Sequence, residues 1–126
     1  MGNKMKIFFI PFLLVMFTGM IGAIPWWSFV IPVLLSGAFL TTKIKNPAFF
    51  PIGFMAGFTA WSGSNLFFHL YYNGMMLKRL GPAAEILAFI IPGIICGLLT
   101  GLAMYTGKLG ATAMTSVFFS RNRIEK

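Results

Sequence analysis

Charged residues divide the chain into long uncharged stretches. Residues 7–42, 47–77 and 86–107 contain no Asp, Glu, Lys or Arg. A helix of about 20 apolar residues crosses the hydrocarbon core of a bilayer. The pattern therefore predicts an all-α, polytopic membrane protein, a bundle of four transmembrane helices. The predicted spans cover about 7–24, 27–42, 47–72 and 82–106.

Proline and tryptophan mark the ends of these spans. The sequence Pro25-Trp26-Trp27 predicts a tight hairpin at a membrane face, because proline ends a helix and tryptophan favours the interface. Asn46 can cap span three, and Pro47 suits its first helical position. Pro82 begins span four, and Pro92 predicts a kink in its middle.

Residues 1–107 are expected to form one membrane domain, because the remaining segments are too short to build a core of their own. Residues 108–126 form a basic tail with two interpretations. It is either an interfacial helix on the inner leaflet or a continuation of span four. A secretory signal peptide is the competing interpretation of the N-terminus, but Ile21 suits a cleavage after Ala23 poorly.

Composition agrees with a membrane location. Of the 126 residues, 58% are hydrophobic and 10% are charged, against about 25% charged in ordinary globular domains. The net charge of +8 would suit nucleic acid, but the basic residues flank the spans, where they orient helices and meet anionic lipid. The expected partner is therefore the lipid bilayer and not a nucleic acid.

The distribution of Lys and Arg predicts the orientation. With a cytoplasmic N-terminus, the outer side holds only Lys78 and Arg79. Cytoplasmic loops carry the excess of Lys and Arg, so both termini are expected in the cytoplasm. The inner side then holds Lys4, Lys6, Lys43, Lys45, Lys108, Arg121, Arg123 and Lys126.

Candidate chemistry is sparse. Cys96 is the single cysteine and His69 the single histidine, so the sequence predicts no disulfide, no metal site and no cofactor. Glu85, at the start of span four, is the only carboxylate within a span, and no Ser/His/acid set or phosphate-binding glycine loop occurs. We therefore expect a protein that is not an enzyme and has no catalytic residues.

Small residues recur at helical spacing in spans three and four. Such faces let helix backbones approach closely in a membrane, where packing drives association. They can pack the two spans within one subunit, or one of them can form an oligomer seam or a docking groove. The candidate helix-packing residues are Gly53, Gly57, Ala60, Ser64, Gly93, Gly97 and Gly101.

Span three also carries a polar face, which is predicted to lie opposite its small residues. Thr59, Ser62, Asn65 and His69 fall within about 120° of arc at 100° per residue. These groups either hydrogen-bond to neighbouring helices or line a polar path for an ion. With small residues on one side and polar residues on the other, span three is expected to be the central helix.

Two stretches resemble small four-span inner-membrane proteins widespread in Bacteroidota. One is Met55-Ala56-Gly57-Phe58-Thr59-Ala60-Trp61, followed by Asn73 and Leu77-Lys78. The other is Cys96-Gly97-Leu98-Leu99-Thr100-Gly101-Leu102-Ala103, ending in Thr106-Gly107. The resemblance implies a bacterial inner-membrane location and a four-helix fold, and it implies no mechanism.

The stretch 53–62 is also similar to the third span of the fluoride-channel family, in its Gly…Gly-Phe-Thr run and its serine. The chain departs from that family where Gly63-Ser64 replaces the expected Thr-Phe. It also lacks the asparagine expected in span two and the arginine expected in span one.

The sequence thus favours a non-enzymatic accessory or scaffold subunit that packs with itself as a homo-oligomer or with a larger membrane complex. The alternative is a small oligomeric ion channel or transporter lined by the polar face of span three.

Overall fold

A computed structural model describes residues 2–21, 25–43, 48–71 and 81–124. Four α-helices follow one another along the chain: α1 is Asn3–Met20, α2 is Val30–Lys43, α3 is Phe49–Tyr71 and α4 is Pro82–Ile124. A short 3₁₀ helix, Trp26–Phe29, leads directly into α2. No strand occurs in these ranges, which confirms the prediction of an all-α fold.

The helix bounds differ from the predicted spans because charge limits a membrane span but not a helix. Lysine is a good helix former, so α1 begins at Asn3, before the uncharged stretch, and it ends at Met20. The first turn of the second span is 3₁₀, and there the Ser28 hydroxyl donates to the Pro25 carbonyl at 2.6 Å. The predicted cap at Asn46–Pro47 lies outside the described residues.

Helix α4 extends much further than the predicted fourth span. It begins at Pro82, after Gly81 with φ of +91°, and continues for 43 residues to Ile124 without ending at Pro92. At 1.5 Å per residue it is about 64 Å long. In the structure, residues 108–124 are the continuous end of this helix.

Membrane character is clearest in α4. Within the described ranges, one helical stretch, Pro82–Arg121, is both long and apolar enough to cross a membrane. The apolar helical stretches Met5–Met20 and Trp27–Lys43 are shorter. Helix α3 has 23 residues but is not among these apolar stretches. The other three spans therefore remain predictions.

The helices are arranged in space in the order α1, α3, α4, α2. Helix α4 packs most extensively on α3 and also on α2, while α1 packs on α3 and less closely on α2. Two helices, α3 and α4, therefore share the centre that was expected for the third span alone. The buried apolar side chains belong to Ile7, Val15, Phe29, Val33, Phe49, Ala56, Ala60, Cys96, Ala103 and Met104.

Candidate functional site

The interface between α3 and α4, here called the α3–α4 seam, is built from glycines on α4. A β-carbon placed on Gly97 would lie 2.9 Å from the Phe54 carbonyl oxygen, and one on Gly101 would lie 2.9 Å from the Phe50 carbonyl oxygen. A side chain larger than hydrogen therefore has no room at either position. At Gly93 the obstacle is a side chain and not the backbone, because a β-carbon would meet the hydroxyl oxygen of Ser62.

Phenylalanines of α3 fill the opposite side of the seam. The rings of Phe50, Phe54 and Phe58 lie over Gly101, Gly97 and Gly93, with the nearest ring carbons 3.0–3.2 Å from the positions that a β-carbon would take. The rings of Phe54 and Phe58 stack at 6.2 Å. Sequence reasoning missed these residues, although their spacing of four matches that of the glycines. Ridges at i±4 interdigitate in this way because both helices present them at the same angle.

Beside these phenylalanine rings, the glycines of α3 bring the backbones of α3 and α4 together. A β-carbon on Gly53 would lie 3.1 Å from the Gly101 α-carbon and 2.9 Å from the Met104 sulfur. A β-carbon on Gly57 would meet the side chain of Thr100 and lie 2.8 Å from the Cys96 carbonyl oxygen. The seam is therefore closed by backbone contact along about two turns.

One polar group is fully buried in the seam and is satisfied there. Thr100 is 0% exposed, and its hydroxyl donates to the Cys96 carbonyl at 2.7 Å within α4. A buried hydroxyl without a partner costs free energy, and this hydrogen bond avoids that cost. Thr100 therefore needs no water and no partner from α3, whereas the Ser62 hydroxyl oxygen, which faces Gly93, is buried without a hydrogen-bond partner among the described residues.

A second close contact joins α4 to α2, and it was not anticipated from the sequence. A β-carbon on Gly37 of α2 would lie 2.5 Å from the Met104 carbonyl oxygen, and one on Gly107 of α4 would meet the Leu34 carbonyl oxygen. The available signal was the presence of Gly37 and Gly107 inside uncharged stretches. Because neither belongs to a glycine repeat of the kind seen at positions 93, 97 and 101, periodic spacing did not identify them as contact residues.

The small face of α3 divides between two neighbours. Gly53 and Gly57 face α4, whereas Ser64 lies against α1, with its hydroxyl 3.0 Å from the Met16 sulfur. The Ser64 hydroxyl also donates to the Ala60 carbonyl at 2.8 Å, and Ala60 itself is buried. The seven candidate packing residues thus belong to two interfaces and not to one.

The four polar residues of α3 also divide. The hydroxyl of Ser62 lies opposite Gly93, and the His69 ring packs edge-on against Phe89 at 5.2 Å, so both face α4. Thr59 and Asn65 instead line a groove beside α1, and the Thr59 hydroxyl bonds to its own helix at Met55. Within the described ranges these four side chains do not converge on one cavity.

The groove between α1 and α3 has a volume of about 400 Å³. Thr59 and Asn65 lie on it, and most of its wall is apolar. At its glycines, Gly19 and Gly63, an added β-carbon would have no heavy atom within 4 Å. The α1 side is lined by Phe12, Val15, Met16, Gly19 and Met20, and the α3 side by Thr59, Ala60, Trp61, Gly63, Ser64, Asn65, Phe67 and Phe68.

A smaller recess of about 220 Å³ is lined by Trp61, Pro92, Ile95 and Cys96. The indole nitrogen of Trp61 is buried without a hydrogen-bond partner among the described residues. Across the same ranges, no three His, Cys, Asp or Glu side chains gather in a way that could hold a metal ion. The recess is thus a gap in packing beside Pro92 and carries no chemical group except a thiol and the indole N–H.

No protein-family model matches the chain, and no curated protein and no solved structure shows a significant match. Packing, exposure and charge are therefore the properties of the chain that bear on its function.

Proposed function

We propose that the chain is an integral protein of the bacterial inner membrane with four spans and both termini in the cytoplasm. The support is an exterior rich in large apolar side chains around helices that meet through small residues at the α3–α4 seam. Exposed side chains include Phe17 (65%), Phe39 (73%) and Leu70 (69%), while glycines occupy the seam. Soluble monomers rarely expose extended apolar surface, so lipid is the solvent that suits this surface.

The hydroxyl groups support the same environment. Thr18, Ser36, Thr41, Ser64 and Thr100 each donate to a carbonyl of their own helix, three or four residues earlier. In hydrocarbon there is no water to hydrogen-bond a hydroxyl group. A hydrogen bond to a carbonyl of the same helix takes the place of that water.

The position of the inner membrane boundary follows from the charges. The ammonium group of Lys108 lies 5.6 Å from the centroid of the Phe49 ring, at the start of α3, and Lys43 ends α2. Pro82 and Lys108 are about 39 Å apart along α4 at 1.5 Å per residue, which is enough for a hydrocarbon core of about 30 Å. We therefore infer that Lys43, Phe49 and Lys108 lie at the cytoplasmic interface.

Topology can be tested with single cysteines. With Cys96 replaced by alanine, cysteines at Asn3, Asn46, Gly74 and Asn122 are exposed one at a time to a membrane-impermeant thiol reagent on intact cells. Only the cysteine at position 74 should react, because the other three lie on the side that holds most of the Lys and Arg. Reaction at position 3 or 122 before lysis would contradict the topology, and reaction of all four after lysis is the control.

We further propose that the protein is a non-enzymatic accessory or scaffold subunit that packs with itself or with a larger membrane complex. The observation that carries this proposal is the closed seam, in which glycine and phenylalanine interlock and leave no room for a solute. The open glycine Gly19 supports association, because a small residue on an outer face lets another helix approach closely.

An ion channel lined by α3 is the weaker candidate. Ser62 and His69 face α4 while Thr59 and Asn65 line the α1–α3 groove, so one subunit does not align the four groups along a single route. The scaffold is therefore preferred.

One pair of measurements separates the two functions. Affinity purification from native membranes should recover the chain with itself or with defined partner subunits in fixed stoichiometry. Proteoliposomes of the purified chain should show no flux of halides or monovalent cations between about pH 5 and 8, the range in which a histidine titrates. Flux that is lost in Asn65→Leu and His69→Leu variants that still fold would overturn the scaffold in favour of a pore.

A further inference from the structure

The last part of α4 leaves the helix bundle. Gly107 is its last described glycine in contact with another helix, and a β-carbon added at Gly110 would have no heavy atom within 4 Å. Every side chain described between Thr112 and Arg121 is exposed. We call residues 111–124 the arm. It begins about 5 Å past Lys108 and reaches about 24 Å past it at 1.5 Å per residue.

The arm has two unlike faces. At 100° per residue, Met114, Val117, Phe118 and Arg121 fall within about 100° of arc. The first three are among the most exposed apolar side chains of the protein, with Met114 at 78% and Phe118 at 74%. Surfaces that combine apolar side chains with basic ones are typical of helices that lie in a membrane interface.

The other face carries the exposed side chain of Phe119 together with hydroxyl groups that are already hydrogen-bonded. Those of Thr112, Thr115, Ser116 and Ser120 donate to carbonyls of α4 at 2.7–3.0 Å. These groups therefore lose little when the arm leaves bulk water for the headgroup region.

Charge identifies the surface that the arm fits. Residues 108–126 contain Lys108, Arg121, Arg123 and Lys126 against the single acid Glu125, a net charge of +3. The cytoplasmic leaflet is negative, and a polybasic segment beside a span is attracted to it by about 1 kcal/mol for each Lys or Arg near the surface. An acidic lipid surface also lies within reach of the arm whenever α4 spans the bilayer.

Docking of the arm on the membrane requires a bend in α4, and Gly110 is the position at which a bend costs least. A straight α4 holds Phe118 about 15 Å beyond Lys108, outside the headgroups, where an isolated helix of this length is marginally stable. Glycine in a helix interior weakens it by roughly 0.5–1 kcal/mol relative to alanine. Gly110 lies between the last packed residue and the arm, and no described neighbour restrains it.

We propose that the arm docks on the anionic headgroups of the cytoplasmic leaflet by bending at Gly110, with Met114, Val117 and Phe118 inserted and Arg121 on the phosphates. This inference rests on the proposed membrane-spanning function. The arm then has two positions, docked on the leaflet or extended as a straight helix. The negative charge of the leaflet determines which of the two is favoured.

The test places an environment-sensitive fluorophore on the arm. In full-length protein with Cys96 replaced by alanine, a cysteine at Val117 carries the fluorophore, and the protein is reconstituted into vesicles. The emission should shift to the blue in vesicles that contain phosphatidylglycerol and not in pure phosphatidylcholine, and salt should reverse the shift. The matched control is Ser116→Cys on the opposite face, whose emission should remain that of an aqueous probe.

Two variants test the stated causes. Arg121→Gln should lower the ratio of docked to straight arm about fivefold in anionic vesicles. Gly110→Ala should lower it about two- to fivefold, because alanine favours the straight helix, whereas Gly63→Ala should leave it unchanged. Both glycines have open space around them, so neither change disturbs packing.

The outcomes separate this inference from the proposed function. Equal emission in the two kinds of vesicle, with the protein resistant to alkaline extraction, would overturn docking and leave the spanning proposal intact. Extraction of the chain by alkali would overturn the spanning proposal itself. A blue shift in both lipids that grows with protein concentration would overturn docking in favour of a protein partner for the arm.

Discussion

Replacing Gly97 by leucine is expected to unfold the helix bundle, with a loss of at least about 3 kcal/mol of unfolding free energy. Overpacking in a close-packed interior costs about 1–3 kcal/mol, and more when nothing can move. At Gly97 the obstacles to a β-carbon are the carbonyl oxygen of Phe54 at 2.9 Å and its ring at 3.0 Å. A backbone oxygen cannot rotate away as a side chain can, so the two helices must separate.

Helix propensity acts in the opposite direction and is too small to compensate. Leucine is favoured over glycine by roughly 0.8–1 kcal/mol in a helix interior. Gly63→Leu is therefore the matched control, because Gly63 has open space around it and only the propensity gain applies. Leu98→Ala is a second control, because Leu98 is 43% exposed and faces away from the packed interior.

The three variants are compared with wild type by their protein level in membranes and by their melting temperature in detergent. We expect Gly97→Leu to be depleted and to melt far below wild type, Leu98→Ala to fall slightly, and Gly63→Leu to be equal or higher. Equal melting of Gly97→Leu and Gly63→Leu would show that the glycine spacing has no part in packing.

Phe54→Ala is expected to cost about 3 kcal/mol, the lower end of the range for a phenylalanine removed from a core, because its ring is half-buried. The ring stacks on Phe58 and covers Gly97. Its removal opens a cavity that the fixed backbones around it cannot close.

A double-mutant cycle tests whether Phe54 and Gly97 form one contact. Gly97→Ala alone should destabilise the protein, and the double variant should lose about 1 kcal/mol less than the sum of the two singles, within the range for residues in contact. The rescue is partial because the Phe54 carbonyl stays in place. The control cycle pairs Phe54→Ala with Gly63→Ala, about 13 Å away along α3, and should be additive within about 0.5 kcal/mol.

The sequence alone determined the class of the fold and predicted that the glycine face of span four lies against another helix. Uncharged stretches between lysines predicted helices, because a stretch that must bury its backbone polar groups without water can do so within a helix. Glycines at 93, 97 and 101 predicted a close approach, because spacing of four keeps them on one face. The described helices and the contacts of these glycines agree with both arguments.

The ends of the helices were harder to predict from the sequence than their existence, for a physical reason. An uncharged stretch shows how much of a helix lipid can surround, whereas backbone hydrogen bonding decides where the helix ends. The backbone continues past Lys108 to Ile124 at one end of the chain and includes Asn3 at the other. Charge patterning therefore predicted the second half of α4 only as one of two alternatives.

Only the tertiary structure decided which surfaces meet. Phe50, Phe54 and Phe58 look like lipid-facing residues in the sequence, because a membrane helix is apolar on every side and its pattern does not distinguish lipid from protein. The contact of Gly107 with α2 and the separation of Ser62 from Asn65 depend on how the four helices are placed around one another. Periodicity assigns residues to faces of one helix, and close packing between helices selects the neighbour of each face.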